Sequence, residues 1–425
     1  MQQDQLKKLY SFYLKYPHVS TDTRNIKPNS IFFALKGDKF NANEFAEKAI
    51  DTGAAAAVIE EEKYRKNEKY FLVQNVLKTL QQLATYHRKQ LDIPVIGITG
   101  SNGKTTTKEL IAAVLRKKWT IYATQRNLNN HIGVPLTILS LTKKHQIAVI
   151  EMGANHIGEI AELCTIAQPN HGIITNIGKA HLEGFGSHQG VIKAKNELYE
   201  YIKKNNGLLF VNNDNELLSA LSASIKRISY GENKTAEFNG HFLEADPFVI
   251  LQQKEQTINT QIIGKYNFEN ILAAACIGDH FKVEHQKIKE ALEEYVPSNS
   301  RSQVIKKGTN TILLDAYNAN PTSMEAALNN FKEMKAKKKI LILGDMLELG
   351  SHSLEEHKKI INMLAQKGFN DFLLIGEQFY SVSEKNKFRN TEEVKLYLAE
   401  NPISNSLILI KGSRGIKLET LLELL

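Results

Sequence analysis

The chain has 425 residues, of which 42% are hydrophobic, 24% charged and 8% aromatic. This composition is that of a globular protein, and it excludes disordered, collagen-like and coiled-coil chains. At roughly 100–200 residues per domain, the length suggests two to four domains. The formal net charge of +8 leaves an anionic small molecule or a nucleic acid open as a partner.

Cysteine content and hydropathy indicate in which compartment the protein is expected. Two cysteines are too few for a disulfide framework or a four-ligand zinc site, so we expect a reducing compartment. The first residues lack the apolar stretch of a signal peptide, and no run approaches the roughly 18 apolar residues of a membrane helix. We therefore expect a cytoplasmic protein that does not insert into membranes.

The densest basic run has five lysines within residues 332–339 and precedes an apolar strand pattern. A helix that ends there explains the run, since the helix dipole favours cations at its C-terminus. Arginines are few and aromatic residues do not alternate with basic ones. We therefore expect no nucleic-acid partner.

Short apolar runs separated by helical patterns fill the first 90 residues. The patterns predict strands at 31–35, 54–59 and 70–73, and helices at 43–51 and 77–91. This alternation indicates a small α/β domain, which we place at residues 1–88.

Strand–loop–helix units begin after Pro94. Strands are predicted at 95–99, 147–150, 172–175 and 208–211, and their apolar character favours a mainly parallel sheet. Residues 235–264 are typical of shorter alternating strands, and a helix is predicted at 268–281. We place a central domain at residues 89–297.

The turn-rich segment 296–301 predicts a linker. Beyond it, apolar strands are predicted at 311–314, 339–343, 372–375 and 407–410, alternating with helical patterns. This order indicates a C-terminal, Rossmann-like α/β domain at residues 298–425. The predicted fold class is thus α/β, with three domains.

The strongest local motif is a phosphate loop. The buried strand Val95–Thr99 leads into a glycine-rich turn that ends Gly103-Lys104-Thr105, and a helical pattern follows. Glycines let successive N–H groups face a phosphate, and a helix N-terminus adds positive potential. We expect Lys104 to reach the β and γ phosphates of ATP or GTP, and the Thr105 hydroxyl to bind Mg²⁺. The loop is a variant, because Ile98 stands where the strict motif has glycine. The residues expected to hold the nucleotide are Thr99, Gly100, Ser101, Asn102, Gly103, Lys104, Thr105 and Thr106.

A carboxylate follows the next predicted strand. Glu151 ends the apolar run 147–150, so in a doubly wound sheet it lies beside the phosphate loop. Oxygen ligands of this kind suit Mg²⁺. A GTPase is disfavoured, because no Asn-Lys-x-Asp segment that would select guanine is visible.

Further segments carry a resemblance to a known family. Thr99–Thr106 (TGSNGKTT), Asn176–Ser187 (NIGKAHLEGFGS) and Lys193–Tyr199 (KAKNELY) resemble the Mur ligases, which build the peptidoglycan precursor. The segments that favour one member are Asn127–Pro135 (NLNNHIGVP), Glu151–His156 (EMGANH), Ala316–Pro321 (AYNANP), Leu343–Gly350 (LGDMLELG) and Lys411–Arg414 (KGSR). The resemblance runs from about Ser20 to Arg414, nearly the whole chain.

The resemblance implies an ATP-dependent amide ligase. The expected partners are UDP-N-acetylmuramoyl-tripeptide, held by the N-terminal domain, and D-alanyl-D-alanine, received by the C-terminal domain. ATP would phosphorylate the tripeptide's terminal carboxylate, and the dipeptide's amine would attack the acyl phosphate. The expected cofactors are ATP and two Mg²⁺ ions, and we expect the enzyme to be a monomer.

The resemblance also implies residue roles. Lys104, Glu151, His181, Lys195 and Arg301 would be catalytic, and Thr105, Glu151, His181 and Lys195 would hold the metal ions, with Lys195 carbamylated. Asn270, Arg301 and Asp315 would contact the adenine, phosphates and ribose of ATP. Substrate contacts would come from Ser20, Thr21, Asp22, Arg24, Asn129, Asn130, Asn318, Asn320, Lys411, Ser413 and Arg414. Two departures affect the nucleotide-sugar contacts: Thr23 replaces a more usual serine, and Asn41-Ala42-Asn43 stands where the family often has Asp-Gly-His.

Three alternatives remain open. A sister ligase that adds the third amino acid shares the fold and the ATP chemistry. Folylpolyglutamate synthase is related through the ATPase, although the segment Ser20–Arg24 favours a UDP-sugar domain. A P-loop switch or a nucleic-acid-binding ATPase is supported only by the basic charge. The sequence leaves open whether the tripeptide ends in meso-diaminopimelate or in lysine.

Overall fold

The structure is a computed structural model that describes residues 3–298 and 300–425. It has mixed α/β architecture, as predicted, with one parallel or mainly parallel sheet in each of three domains. No helix in the described part of the chain has the length and apolar character needed to cross a bilayer.

The N-terminal domain is a four-stranded parallel sheet in the order β1-β2-β5-β6. Its strands are β1 (His18–Ser20), β2 (Ser30–Phe33), β3 (Lys36–Gly37), β4 (Phe40–Asn41), β5 (Ala56–Ile59) and β6 (Tyr70–Leu72), and its helices are α1 (Gln3–Lys15), α2 (Ala46–Asp51) and α3 (Val76–Arg88). The strands β3 and β4 form a separate small ribbon. The predicted helix at 43–51 begins as the 3₁₀ turn Ala42–Phe45, because the Asn41 side chain caps that turn.

The central domain holds a seven-stranded parallel sheet in the order β13-β12-β11-β10-β7-β9-β8. Its strands are β7 (Val95–Thr99), β8 (Ile121–Ala123), β9 (Ile147–Glu151), β10 (His171–Ile174), β11 (Leu208–Asn212), β12 (Arg227–Gly231) and β13 (Phe238–Asn239). The helices are α4 (Lys104–Arg116), α5 (Gly133–Leu139), α6 (Glu159–Ala167), α7 (Leu182–Phe185), α8 (His188–Lys204), α9 (Glu216–Leu221), α10 (Phe268–His280) and α11 (His285–Glu294). An antiparallel sheet of β14 (His241–Ala245), β15 (Phe248–Gln253) and β16 (Gln256–Ile263) completes the domain. The parallel central sheet and the alternating strands after residue 235 confirm the sequence patterns.

The C-terminal domain is a six-stranded sheet in the order β17-β18-β22-β19-β20-β21, parallel except for the edge pair β17–β18. Its strands are β17 (Gln303–Lys307), β18 (Asn310–Asp315), β19 (Lys339–Gly344), β20 (Phe372–Ile375), β21 (Lys387–Phe388) and β22 (Leu407–Lys411), and its helices are α12 (Pro321–Glu333), α13 (Ser353–Gln366), α14 (Glu377–Val382) and α15 (Thr391–Glu400). The sequence patterns missed β17 and the short β21. The predicted linker at 296–301 contains no helix or strand among its described residues, and its position 299 lies outside them.

The order of the central strands positions the site. β7 lies between β9 and β10, and the chain leaves β7 through the phosphate loop into α4. Because all these strands are parallel, their carboxyl ends share one edge of the sheet. Ligands of open α/β sheets bind at such an edge, where the strand order changes direction.

A buried arginine joins the N-terminal and central domains. Arg88, at the end of α3, is 7% exposed and donates to four backbone carbonyls at 2.5–3.3 Å, those of Leu91, Ile93, Ala167 and Gln168. Two of these carbonyls belong to the connection into β7 and two to the C-terminal end of α6. Burial lowers the pKa of Arg88, so the carbonyl dipoles are what stabilise its charge.

We predict that Arg88→Met lowers the midpoint of thermal unfolding by on the order of 5 °C, because four backbone carbonyls, two of them in buried hydrogen bonds, lose their donor. Differential scanning calorimetry measures the shift. Arg65→Met is the matched control, since Arg65 is half-exposed and forms a surface pair with Glu62, and such pairs contribute little. Equal midpoints for the two variants would contradict this role for Arg88.

Candidate active site

A cavity of about 770 Å³ opens at the carboxyl edge of the central sheet and extends to the C-terminal domain. On the central side its lining includes the phosphate loop, Glu151 and His181. On the other side it includes Arg301, Asp315 and further residues around the end of β18. Residues of two domains therefore face each other across one space.

Glycines at two positions fix the shape of the phosphate loop. Gly100 has φ +147°, and a Cβ built there would lie 2.0 Å from Thr175 Oγ1. Gly103 has φ +78° and immediately precedes α4. A Cβ built at Gly103 would lie 2.8 Å from Asn270 Oδ1. The first N–H groups of α4 have no partners within the helix. These N–H groups face the loop, and a glycine-rich loop at a helix N-terminus is an arrangement that binds phosphate.

Lys104 folds back over this loop. Its Nζ donates to Gly100 O at 2.7 Å and to Ser101 O at 3.3 Å. Burial lowers the pKa of Lys104, while the nearby Glu151 raises it. The ammonium group is thus held by loop carbonyls, which a phosphate could replace.

Glu151 ends β9 and is 2% exposed. Its Oε1 accepts from Thr105 Oγ1 at 3.2 Å and from Asn129 Nδ2 at 2.8 Å. Its Oε2 is buried and has no hydrogen-bond partner in the described part of the chain. A buried carboxylate oxygen without a donor, next to a threonine hydroxyl and a phosphate loop, fits a hard cation such as Mg²⁺. Among residues 3–298 and 300–425, no cluster of three His, Cys, Asp or Glu side chains could hold a metal alone, so a bound ion would need further oxygen ligands, such as phosphate or water.

Lys108 lies one turn after Lys104 and was not singled out by the sequence analysis. Its side chain is fully buried, donates to Thr124 O at 2.6 Å and pairs with Glu109 at 2.9 Å. Its Nζ is also 3.9 Å from Glu151 Oε2. Thr124 Oγ1 in turn accepts from Glu151 N at 3.0 Å. Lys108 and Thr124 thus help to position Glu151. The signal in the sequence that could have revealed this role is a lysine on the apolar face of α4.

Arg301 and Tyr317 form the wall contributed by the C-terminal domain. The guanidinium carbon of Arg301 lies 3.6 Å from the centre of the Tyr317 ring, and that of Arg414 lies 5.4 Å from it. Stacking of this kind orients a planar guanidinium. Asp315, at the end of β18, accepts a 2.5 Å hydrogen bond from the buried Lys411. Sequence reasoning had assigned no role to Tyr317.

The central and C-terminal domains make direct polar contacts beside the loop. Asn320 caps the N-terminus of α12, and its Nδ2 donates to Asn102 Oδ1 at 2.7 Å. Nearby, Lys179 N donates to Thr322 Oγ1 at 3.0 Å. The domain carrying α12 is therefore closed onto the phosphate loop.

His181 contacts the C-terminal domain as well. Its Nδ1 donates to Glu348 Oε2 at 2.5 Å, and this hydrogen bond lowers the pKa of Glu348. Both residues have left-handed backbone conformations, with φ +51° and +63°. Left-handed backbone is rare for side chains other than glycine and asparagine, and it concentrates at functional sites.

Lys195 lies on α8 and is 1% exposed. Its Nζ is 5.1 Å from the centre of the Phe185 ring, which also packs edge-on against His181. Burial, reinforced by the charge of Lys104, lowers the pKa of Lys195 to about 7. Lys195 is therefore not one of the solvated lysines on the surface of α8.

Asn270 occupies the first turn of α10, beside the loop. Its Oδ1 accepts from Thr107 Oγ1 at 3.0 Å, and its Nδ2 donates to Asn267 Oδ1 at 2.8 Å. Asn267 donates onward to Ile263 O at 2.8 Å. The amide of Asn270 is therefore held in one orientation at the edge of the cavity.

The predicted nucleotide-sugar segment lies elsewhere. Ser20 and Asp22 form a local turn, in which Ser20 Oγ donates to Asp22 O and Asp22 caps the turn that follows. Hydrogen bonds from Arg24 lower the pKa of Asp22 to about 2. Arg24 is otherwise open to solvent, at 86% exposure. This segment is shaped locally and does not line the cavity.

The structure thus divides the predicted site residues into two groups. Those that line the cavity are Ser101, Asn102, Gly103, Lys104, Thr105, Thr106, Asn129, Asn130, Glu151, His181, Asn270, Arg301, Asp315, Asn318 and Lys411. Those that do not are Ser20, Thr21, Asp22, Arg24, Thr99, Gly100, Lys195, Asn320, Ser413 and Arg414. In the second group, Ser413 accepts from Leu347 N at 3.0 Å and shapes the loop that follows β19.

Fold and site together define a three-domain α/β protein that binds a nucleotide at a phosphate loop. Three family models match the chain, described as Mur ligase family, catalytic domain, over residues 15–95, Mur ligase middle domain over 98–278, and Mur ligase, glutamate ligase domain, over 300–414. The chain belongs to the Mur ligase family.

Among its relatives, the UDP-N-acetylmuramoyl-tripeptide–D-alanyl-D-alanine ligase of Bacillus subtilis (strain 168) is 35% identical over 421 residues, which cover 95% of this chain and 92% of that protein. The crystal structure of MurF from Acinetobacter baumannii superposes with a TM-score of 0.87 at 30% identity, covering 99% and 97% of the two chains. MurF ligase from Thermotoga maritima, solved in complex with ADP, gives a TM-score of 0.84 at 25% identity, covering 100% and 98%.

We predict that Gly100→Ala weakens binding of a fluorescent ATP analogue by at least about tenfold, because a Cβ at this left-handed position collides with Thr175. Fluorescence titration measures the dissociation constant. Gly37→Ala is the control, since a Cβ there meets nothing within 4 Å and its backbone is not left-handed. Binding by Gly100→Ala within twofold of the unmodified protein would show that the loop does not need this glycine.

Proposed function

We propose that this protein is an ATP-dependent ligase that joins D-alanyl-D-alanine to UDP-N-acetylmuramoyl-tripeptide through an acyl phosphate. The observation that carries the proposal is the single cavity in which a phosphate loop and Glu151 face the arginine and lysine side chains of the C-terminal domain. Relatives that match over almost the whole chain bear this activity in their names. The proposed place in the cell is the cytoplasm, and the proposed state is a monomer.

When bound, Mg²⁺ and ATP supply the transferable phosphoryl group and neutralise the charge of the two anions that must meet. Thr105 and Glu151 would hold the ion at the β and γ phosphates, and His181 would hold a second ion. Lys104 turns from the loop carbonyls towards the phosphates, which adds positive charge where charge develops.

Arg301 would reach the phosphates from the C-terminal side. Its stacking on Tyr317 fixes the direction of the guanidinium before ATP arrives. Asp315 would contact the ribose and Asn270 the adenine. The Asn102–Asn320 contact brings the phosphate loop and α12 together, so closure of the C-terminal domain would complete the site.

The two substrates would enter from opposite sides. Residues 20–24 would bind the nucleotide sugar on the N-terminal domain, and Asn129 and Asn130 would contact the peptide as it extends to the phosphate loop. Asn318, Lys411 and Arg414 would contact the dipeptide. A sister ligase that adds the third amino acid shares the ATP chemistry, so the test of this function must vary the amine substrate.

Phosphate release tests the proposal directly. With ATP, Mg²⁺, UDP-N-acetylmuramoyl-tripeptide and D-alanyl-D-alanine present, we expect rapid release that stops when either substrate is omitted. A panel of single amino acids in place of D-alanyl-D-alanine, with UDP-N-acetylmuramoyl-dipeptide in place of the tripeptide, separates this ligase from its sister. Lys104→Ala should lower the rate by on the order of 10³-fold with an unchanged unfolding midpoint, because positive charge is lost at the developing phosphate charge.

The exposed Lys234 provides the control for that experiment, and Lys234→Ala should keep the normal rate. Phosphate release with a single amino acid and without D-alanyl-D-alanine would assign the chain to the sister activity. Near-normal turnover by a folded Lys104→Ala variant would remove the phosphate loop from the mechanism.

We further propose that Lys195 is a carbamate in the active enzyme. The side chain is buried and close enough to Lys104 for the two charges to repel, so a neutral amine is available near pH 7. Its nitrogen would form a bond to the carbon of CO₂ and release a proton. The resulting carboxylate is a hard oxygen donor that suits Mg²⁺.

Lys195→Ala should therefore be nearly inactive, and a short carboxylate such as acetate or formate should restore part of the activity by filling the space. Lys193→Ala, which removes an exposed lysine of the same helix, should behave like the unmodified enzyme. Activity and mass spectrometry under CO₂-depleted and CO₂-rich buffers measure both effects. Full activity of Lys195→Ala without CO₂ would contradict the carbamate.

A further inference from the structure

Glu348 is an acidic side chain that the C-terminal domain extends to the site. It lines the cavity, and its Oε2 lies 2.5 Å from Nδ1 of His181. Its carbonyl oxygen accepts from Glu183 N at 3.4 Å, so the backbone contacts the central domain as well. The residue thus lies where the two domains meet beside the phosphate loop.

The loop after β19 imposes this position. Met346 and Leu349 are both buried, and Met346 N donates to Nε2 of the buried His357 at 3.0 Å. Leu347 N donates to Ser413 Oγ at 3.0 Å. Anchors on both sides hold Glu348 in left-handed backbone with φ +63°. The conformation turns the Glu348 side chain away from its own domain and towards His181.

The charged side chains around the cavity indicate which ligand group Glu348 is suited to bind. The cavity lining includes the cations Lys104, Arg301 and Lys411, which suit phosphate, and the central domain adds four glutamates, Glu151, Glu159, Glu162 and Glu269. Among the described residues, the C-terminal domain contributes two acids to the lining, Asp315 and Glu348, and Asp315 is already paired with the buried Lys411. The Glu348 carboxylate is paired with His181, a partner that it can exchange.

We propose that Glu348 binds the ammonium group of the incoming dipeptide, and that its hydrogen bond to His181 holds it in place until that substrate arrives. The inference rests on the proposed function, since it assigns the amine subsite of the same reaction. A charged carboxylate on the C-terminal side of the cavity would hold the amine beside the phosphorylated carboxyl group.

Steady-state kinetics of Glu348→Gln test the assignment. The substitution keeps the shape and can still accept from His181, but it removes the charge. We expect KM for D-alanyl-D-alanine to rise roughly tenfold to a hundredfold, the range of a lost charge-assisted hydrogen bond, with KM for ATP within twofold. Glu355→Gln is the matched control, because Glu355 is an exposed acid of the same domain, paired with Lys359. An unchanged KM for the dipeptide would overturn the inference.

A nucleophile without a positive charge separates amine binding from the phosphate chemistry. Hydroxylamine is mostly neutral at pH 7.5, and its nitrogen attacks the acyl carbon while phosphate leaves, which gives a hydroxamate. We expect Glu348→Gln to form hydroxamate from UDP-N-acetylmuramoyl-tripeptide and ATP at the normal rate, with an unchanged unfolding midpoint. Loss of hydroxamate formation would instead place Glu348 in the phosphoryl-transfer machinery and overturn the inference. If the unmodified protein formed neither hydroxamate nor ligated product, the proposed function itself would fail.

Discussion

The contact between the phosphate loop and the N-terminus of α12 is the constraint on which the rest of the site depends. The Asn102–Asn320 hydrogen bond joins the two domains here, together with the Lys179–Thr322 and His181–Glu348 contacts. Without contacts of this kind, Arg301 and Lys411 would not face the phosphate loop. Excluding water from such a space strengthens every electrostatic interaction inside it. The cavity is therefore a property of the domain arrangement, since neither domain encloses it alone.

Buried charge is organised around the same edge. Lys108 and Lys195 are buried in the central domain and Lys104 is partly exposed, and each is compensated differently. Loop carbonyls hold Lys104, and Glu109 and Thr124 hold Lys108. Among the described residues, Lys195 has a weak contact to Ala154 O at 3.5 Å and lies 5.1 Å from the centre of the Phe185 ring. A buried ammonium group with so few polar partners favours the neutral amine. Burial therefore lowers the pKa of Lys195 below that of an exposed lysine.

The sequence predicted the parts of the site that depend on local order. A strand, a glycine turn and a helix in succession define the phosphate loop, and a carboxylate at the end of the next apolar run predicts the place of Glu151. Parallel strands explain both, because their carboxyl ends must share an edge. The family resemblance added His181, Lys195 and the C-terminal segments, which no periodicity could reveal.

Contacts between residues far apart in the chain could not be derived in this way. Arg88 is bonded to carbonyls about 80 residues away, and His181 to Glu348 across a domain boundary. Composition and spacing do not determine which domain faces which. β17 was missed for a related reason: it pairs antiparallel at an edge, and its residues are only half-buried, so its hydrophobic pattern is weak.

The two domain joints differ in a way that suits a reaction with several substrates. At the N-terminal joint, α3 packs along α5 and α6, and Arg88 is bonded to backbone carbonyls that no substrate can replace. At the C-terminal joint, two of the polar contacts beside the cavity join side chains: Asn320 with Asn102, and Glu348 with His181. A substrate that brings its own charges can exchange for these partners without leaving a buried group unsatisfied. On the proposed function, the N-terminal and central domains form the fixed platform for the nucleotide sugar and ATP, and the C-terminal domain is the part that closes with the dipeptide.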